Sequence, residues 1–190
     1  MLVSPEFASW VVDGINPKGG PADPRPEPER FAEHERQVMD QTNGFRAAGG
    51  KLNVPWPRSL GTPPWGAQKE LENGAARPGA AYAMRVVRLA SAATLHRAYQ
   101  DLVSREREGL PALLYIGSAR LPRHVTLVLP TGRSAETDSS AGGPEGRDPL
   151  DVYDPAAGSV TGLPVDRFAG RTLGIAGWDV PWIIVQPRSG

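Results

Sequence analysis

The 190 residues of this chain suffice for one good hydrophobic core and fall short of two comfortable ones, so a single domain over residues 1–190 is expected. Lys and Arg number 21 against 21 Asp and Glu, a balance without the basic excess of a nucleic-acid binder, and no apolar run is long enough to insert in a bilayer. The absence of cysteine excludes disulfides and thiolate metal ligands. Met1-Leu-Val-Ser-Pro-Glu-Phe7 lacks the basic and apolar regions of a secretory signal, which makes the cytoplasm the expected location, and heavy use of Ala, Gly, Pro and Arg suggests a GC-rich bacterial source.

Ser4-Pro5 is an N-cap and first-turn signal, and Phe7, Trp10 and Val11 share one face, predicting a helix over residues 5–13. A second helix is expected from Pro28, with Phe31, Val38 and Met39 on one side and Asn43-Gly44 turning left-handed at its end. The prolines of 53–65 forbid regular structure there. Thr62-Pro63 then caps a helix closed by Asn73-Gly74. The clearest helix carries Leu95, Ala98, Tyr99, Leu102 and Val103 at i, i+3, i+4, i+7 and i+8, stops at Gly109, and should pack on a sheet. Strands are expected at 82–88, 111–117, 124–129, 150–154, 159–163 and 180–186. Helices before strands point to an α+β fold, N-terminal helices packed on a mainly antiparallel sheet. The polar stretch 131–149 reads as a mobile hairpin loop.

Alternation along the strand after Arg123 puts His124, Thr126 and Val128 on one face, and Leu150, Val152 and Asp154 share a face of the next strand. Pairing Val128 with Leu150 places Thr126 opposite Val152 and His124 opposite Asp154. Opposed Cβ atoms lie roughly 4.5–5.5 Å apart, near enough for a carboxylate to accept a hydrogen bond from the imidazole and orient it as a general base. A slip of one residue would separate the pair to opposite faces. The plainer reading makes His124 a strand-edge polar residue and Asp154-Pro155 the start of a turn.

The blocks Gly109-Leu-Pro-Ala-Leu-Leu-Tyr-Ile-Gly117, Pro122-Arg-His-Val-Thr-Leu-Val-Leu129, Leu150-Asp-Val-Tyr-Asp-Pro-Ala-Ala-Gly158 and Leu163-Pro-Val-Asp-Arg-Phe168 together resemble the back half of bacterial papain-like cysteine peptidases, closest in look to bacteriocin-leader (double-glycine) peptidases. The resemblance covers roughly residues 109–170 and implies a papain-like fold, with His124 as general base and Asp154 as its orienter. It also implies a nucleophilic cysteine at the start of an N-terminal helix, with an oxyanion-stabilising glutamine before it, and neither pattern is found. Three accounts are open: an upstream segment once held the cysteine, a separate chain supplies it, or the protein is an inactive relative. The first is preferred, because the first helix begins almost at Met1.

Trp56 and Trp65 flank a stiff loop and are candidates for a substrate-binding wall, with core plugs as the plainer reading. Trp178 and Trp182 read as core or sheet-edge residues. His34 and His96 fall on solvated helix faces, and with no metal-ligand spacing among the three histidines neither a metal site nor a cofactor is expected. The expected function is amide-bond hydrolysis by a cysteine-peptidase-like domain that is inactive as it stands and needs a thiol from elsewhere. The alternative is a non-catalytic peptide-binding module using the same cleft. In either case the partner is a peptide or protein; oligomeric state is not legible.

Overall fold

The computed structural model describes residues 5–46, 50, 52, 54, 61–75, 80–130 and 149–188. Contacts divide the chain into two units, Met1–Ala80 and Ala81–Gly190.

In the first unit, α1 (Pro5–Asp13) begins on proline, whose fixed φ suits a first helical turn, and buries Val11. α2 (Glu27–Asn43) carries Glu27 and Glu29 in its first turn, where carboxylates favour the helix dipole. Arg30 ties the two helices and their connection together. Its buried guanidinium donates to the carbonyls of Val11 and Val12 at 2.9 Å each, and to those of Asp23 and Arg25. Phe31 and Met39 are exposed on α2. Gly44 does not turn left-handed as expected: its φ is −82° and its N–H returns to the Asp40 carbonyl at 2.8 Å. Glycine is required there by crowding, since a Cβ would lie 2.4 Å from that same carbonyl oxygen. α3 (Pro64–Glu70) starts after an extended Pro63 and runs into a π-helical turn, Leu71–Ala75, which takes in the expected Asn73-Gly74 stop. Gly66 lets α3 lie against Thr42 at the end of α2, where any Cβ would meet the Thr42 carbonyl.

Among its described residues the second unit holds six strands and two helices: β1 (Tyr82–Val86), α4 (Ala92–Arg107), β2 (Ala112–Gly117), β3 (Pro122–Val128), β4 (Leu150–Asp154), β5 (Ser159–Leu163), α5 (Val165–Gly170) and β6 (Val180–Pro187). They form one antiparallel sheet in the order β1-β6-β2-β3-β4-β5. The α+β class is therefore as expected, and every expected strand forms within a few residues of its limits. The order is less segregated than the sequence indicated, because α4 follows β1 and α5 sits between β5 and β6.

Ser91 caps α4, its side-chain oxygen accepting the Thr94 N–H at 3.2 Å, and Gly109, with φ of 76°, stops the chain from continuing it. The predicted stripe of Leu95, Ala98, Tyr99 and Leu102 is buried against Leu114, Ile116, Val128, Leu150, Val152, Leu163 and Ile184 of the sheet. Burying each such large side chain contributes about 1.5–3 kcal/mol. α5 adds Phe168, whose ring packs 5.8 Å from that of Tyr99. This helix of 6 residues is too short for a periodic signal, and its Pro164 and Asp166 alone did not announce it. The stretch 131–149 expected to be a mobile hairpin lies, up to residue 148, outside the described residues.

Candidate active site

β2 pairs with β3 so that Ala112, Leu114 and Ile116 oppose Val128, Thr126 and His124. This fixes His124 on the helix-covered face of the sheet, at the end where β3 begins. On the other side of β3 the pairing differs from expectation. Val128 lies opposite Val152, not Leu150, and Leu127 opposite Tyr153; the Leu129 N–H donating to the Asp151 carbonyl at 2.8 Å extends the same register. The offset is two residues, so face is preserved and opposition is not: this register puts Thr126 across from Asp154. His124 and Asp154 are thus diagonal neighbours on one face, a separation that long side chains can bridge.

They do bridge it, with His124 Nε2 2.7 Å from Asp154 Oδ1. An ionised carboxylate only accepts, so Nε2 donates, and in the neutral imidazole the lone pair is left on Nδ1. Nδ1 has no hydrogen-bond partner among the described residues, and the side chain keeps 17% of its surface exposed against 7% for Asp154. The free nitrogen is the one available to take a proton.

Asp154 is held from its own turn as well. Its Oδ1 also accepts the Ala156 N–H at 2.9 Å, while its main-chain carbonyl accepts the Gly158 N–H at 2.8 Å. Gly158 closes the β4–β5 turn with φ of 64°. Burial pushes the carboxyl pKa up, but the hydrogen bonds from His124, Ala156 and Ala157 together outweigh it and hold the group below its ordinary 3.8. The carboxylate is ionised at neutral pH.

Two supporting residues escaped the sequence reading. Thr126, on β3 two residues from His124, is buried and donates Oγ1–H to the Leu114 carbonyl of β2 at 3.1 Å. Tyr99, read as part of an apolar stripe, uses its hydroxyl to donate to the Leu163 carbonyl at 2.7 Å and to accept the Leu150 N–H at 3.2 Å, fastening β4 and β5 where they meet α4. A tyrosine at a buried helix position, where leucine would serve packing better, is the signal that could have marked it.

Of the other residues singled out, Trp56 lies outside the described residues. Trp65 belongs to the first unit, where its indole N–H donates to the Val54 carbonyl at 3.2 Å. Two shallow cavities of about 500 and 490 Å³ run along α2, and neither is lined by Trp65, His124 or Asp154. His96 is exposed, but His34 is not fully solvated as expected: it is half-buried and edge-on to the Trp10 ring at 6.3 Å, and burial lowers its pKa. Among the described residues no three His, Asp or Glu side chains converge as a metal site would need, and no helix is long and apolar enough to cross a membrane.

The site is thus a histidine–aspartate dyad at the end of an antiparallel sheet in an α+β unit. No family model, no curated protein and no solved structure matches the chain.

Proposed function

We propose that this chain is a papain-like, cysteine-peptidase-related protein of bacterial type in which His124 is the general base and Asp154 its orienter. The observation that carries the reading is the 2.7 Å contact from Nε2 to Oδ1, which leaves Nδ1 open and points the acceptor lone pair away from the carboxylate. A thiol at that nitrogen would give its proton to Nδ1 and attack an amide carbonyl. The C–S bond forms, the C–N bond breaks as the imidazolium returns the proton to the departing amine, and water then hydrolyses the thioester. With no cysteine in these residues, the thiol comes from another segment or another chain. A cytoplasmic setting and a peptide or protein partner belong to the same proposal.

The same absence of cysteine favours one second reading, a peptide-binding module that no longer performs the chemistry. The two are separated by giving the protein an extended peptide thioester and a small thiol, and measuring exchange between them. General-base assistance should accelerate exchange by about 100-fold or more over His124→Ala. Equal rates for the two proteins, with peptide still bound, leave the binding module; equal rates without binding end both readings.

A further inference from the structure

Residues 118–121 between β2 and β3 form a turn that is held from several directions, and Arg123 follows it at the start of β3, just before His124. Ser118 Oγ accepts the N–H groups of Arg120 and Leu121 at 3.2 Å each, and the Ser118 N–H donates to the Leu121 carbonyl at 3.0 Å. The Trp182 indole donates to the Ser118 carbonyl at 2.8 Å. Arg88 stacks over the Trp182 ring, 5.1 Å from its centroid, and donates to the Ala119 carbonyl. Gly117 permits the close approach, since a Cβ there would lie 2.2 Å from the Leu121 carbonyl oxygen. The turn is therefore pre-organised, a property that a mere connection between two strands does not require.

Residues 119–123 are exposed, Leu121 by 51%. Neither the Arg120 nor the Arg123 side chain makes a hydrogen bond or ion pair among the described residues, and Arg88 keeps a buried Nε without an acceptor. Of the carboxylates at this end, Asp154 is committed to His124, and Asp179, which precedes the Val180 paired with Gly117, accepts the Gly174 N–H at 3.0 Å. Three guanidinium groups thus stand at one end of the sheet, none of them in an ion pair among the described residues.

We infer that the 118–121 turn, with Arg123 at the start of β3, is the recognition element for an acidic extended peptide, its Asp or Glu carboxylates meeting Arg120 and Arg123 while Leu121 covers an apolar side chain. Guanidinium forks match carboxylates in shape as well as charge. Arg123 alternates to the sheet face opposite His124, so the peptide crosses the end of the sheet and does not lie along one face. A nucleic acid is the less suited polyanion, because the chain has no net charge and a duplex or strand needs a longer basic track. This inference rests on reading His124 and Asp154 as a peptide site and names the substrate class that site would take.

The test is fluorescence anisotropy on the full chain with two extended peptides of one length, one carrying Asp and Glu and the other Asn and Gln at the same positions, alongside a single-stranded oligonucleotide. The acidic peptide should bind about 10-fold more tightly at low salt, and the preference should shrink as salt rises. Arg120→Glu with Arg123→Glu should reverse the preference, with an unchanged thermal melt confirming that these exposed substitutions leave the fold intact. Equal affinity for both peptides, indifference to the charge reversal, no binding, or binding of the oligonucleotide alone would each overturn the inference. His124→Ala should retain the acidic preference while failing in thioester exchange, so loss of the dyad reading and loss of this one are distinguishable.

Discussion

His124 reaches Asp154 diagonally across β3 and β4, and the residue facing Asp154 in the observed register is Thr126. The carboxylate is consequently shared between a side chain from the neighbouring strand and the N–H of Ala156 in its own turn. Removing the imidazole by His124→Ala leaves a buried carboxylate with backbone donors alone, and should cost about 1.5–3 kcal/mol, the range for a hydrogen bond to a charged group. Urea midpoints of the two proteins at neutral pH measure this.

The pH dependence follows from the lowered Asp154 pKa. A carboxyl whose folded pKa lies below its unfolded value stabilises the fold fully above the unfolded value, and that contribution is lost as pH falls through the folded one. The advantage of wild type over Asp154→Asn should therefore be constant near neutrality and shrink below about pH 4. Paired urea titrations down the acid range would show it, and a gap that widens on acidification would contradict the assignment.

In the first unit, Arg30 satisfies carbonyls from the end of α1 and from the connection to α2. Arg30→Ala removes these bonds at once and should destabilise the unit by about 2–3 kcal/mol. Amide exchange is the sharper measurement: protection in α1 should fall, while α4 and the sheet keep theirs.

Tyr99→Phe keeps the ring in the core and deletes only the hydroxyl that joins Leu150 to Leu163. Two buried backbone groups lose their partner, for an expected loss of about 1–3 kcal/mol. The Leu150 amide should exchange faster in the variant, and thermal melts should show the destabilisation.

Ala176 has φ of 50° and Gly177 φ of 77°, so the Ile175–Trp178 turn has two left-handed central residues, as a type I′ turn requires. Alanine is strained there, and asparagine tolerates the conformation. Ala176→Asn should stabilise the protein by about 0.5–1 kcal/mol, seen as a higher melting temperature with the far-ultraviolet spectrum unchanged.

Periodicity made most of the second unit legible in advance. The i, i+3, i+4 stripe of α4, the alternation within β3 and β4, and the Gly and Pro positions that end them are local properties, and each was readable from neighbouring residues. α5 was missed because one turn and a half has no period to detect. In the first unit, Gly44 was assigned to a left-handed turn because glycine so often serves that purpose, when here it clears space for the Asp40 carbonyl. That crowding depends on the path of the chain around it.

For the dyad, side-chain alternation along each strand by itself decided that His124 and Asp154 share a face, provided the two strands pair at an even offset. It could not choose between offsets differing by two residues, since both bury the same alternating set. The choice came from the tertiary structure, in which β5 and the Tyr99 hydroxyl hold β4 from the far side and align Leu150 with Leu163. Facing is a property of one strand's own pleat, whereas register is set by the elements packed on both sides of it.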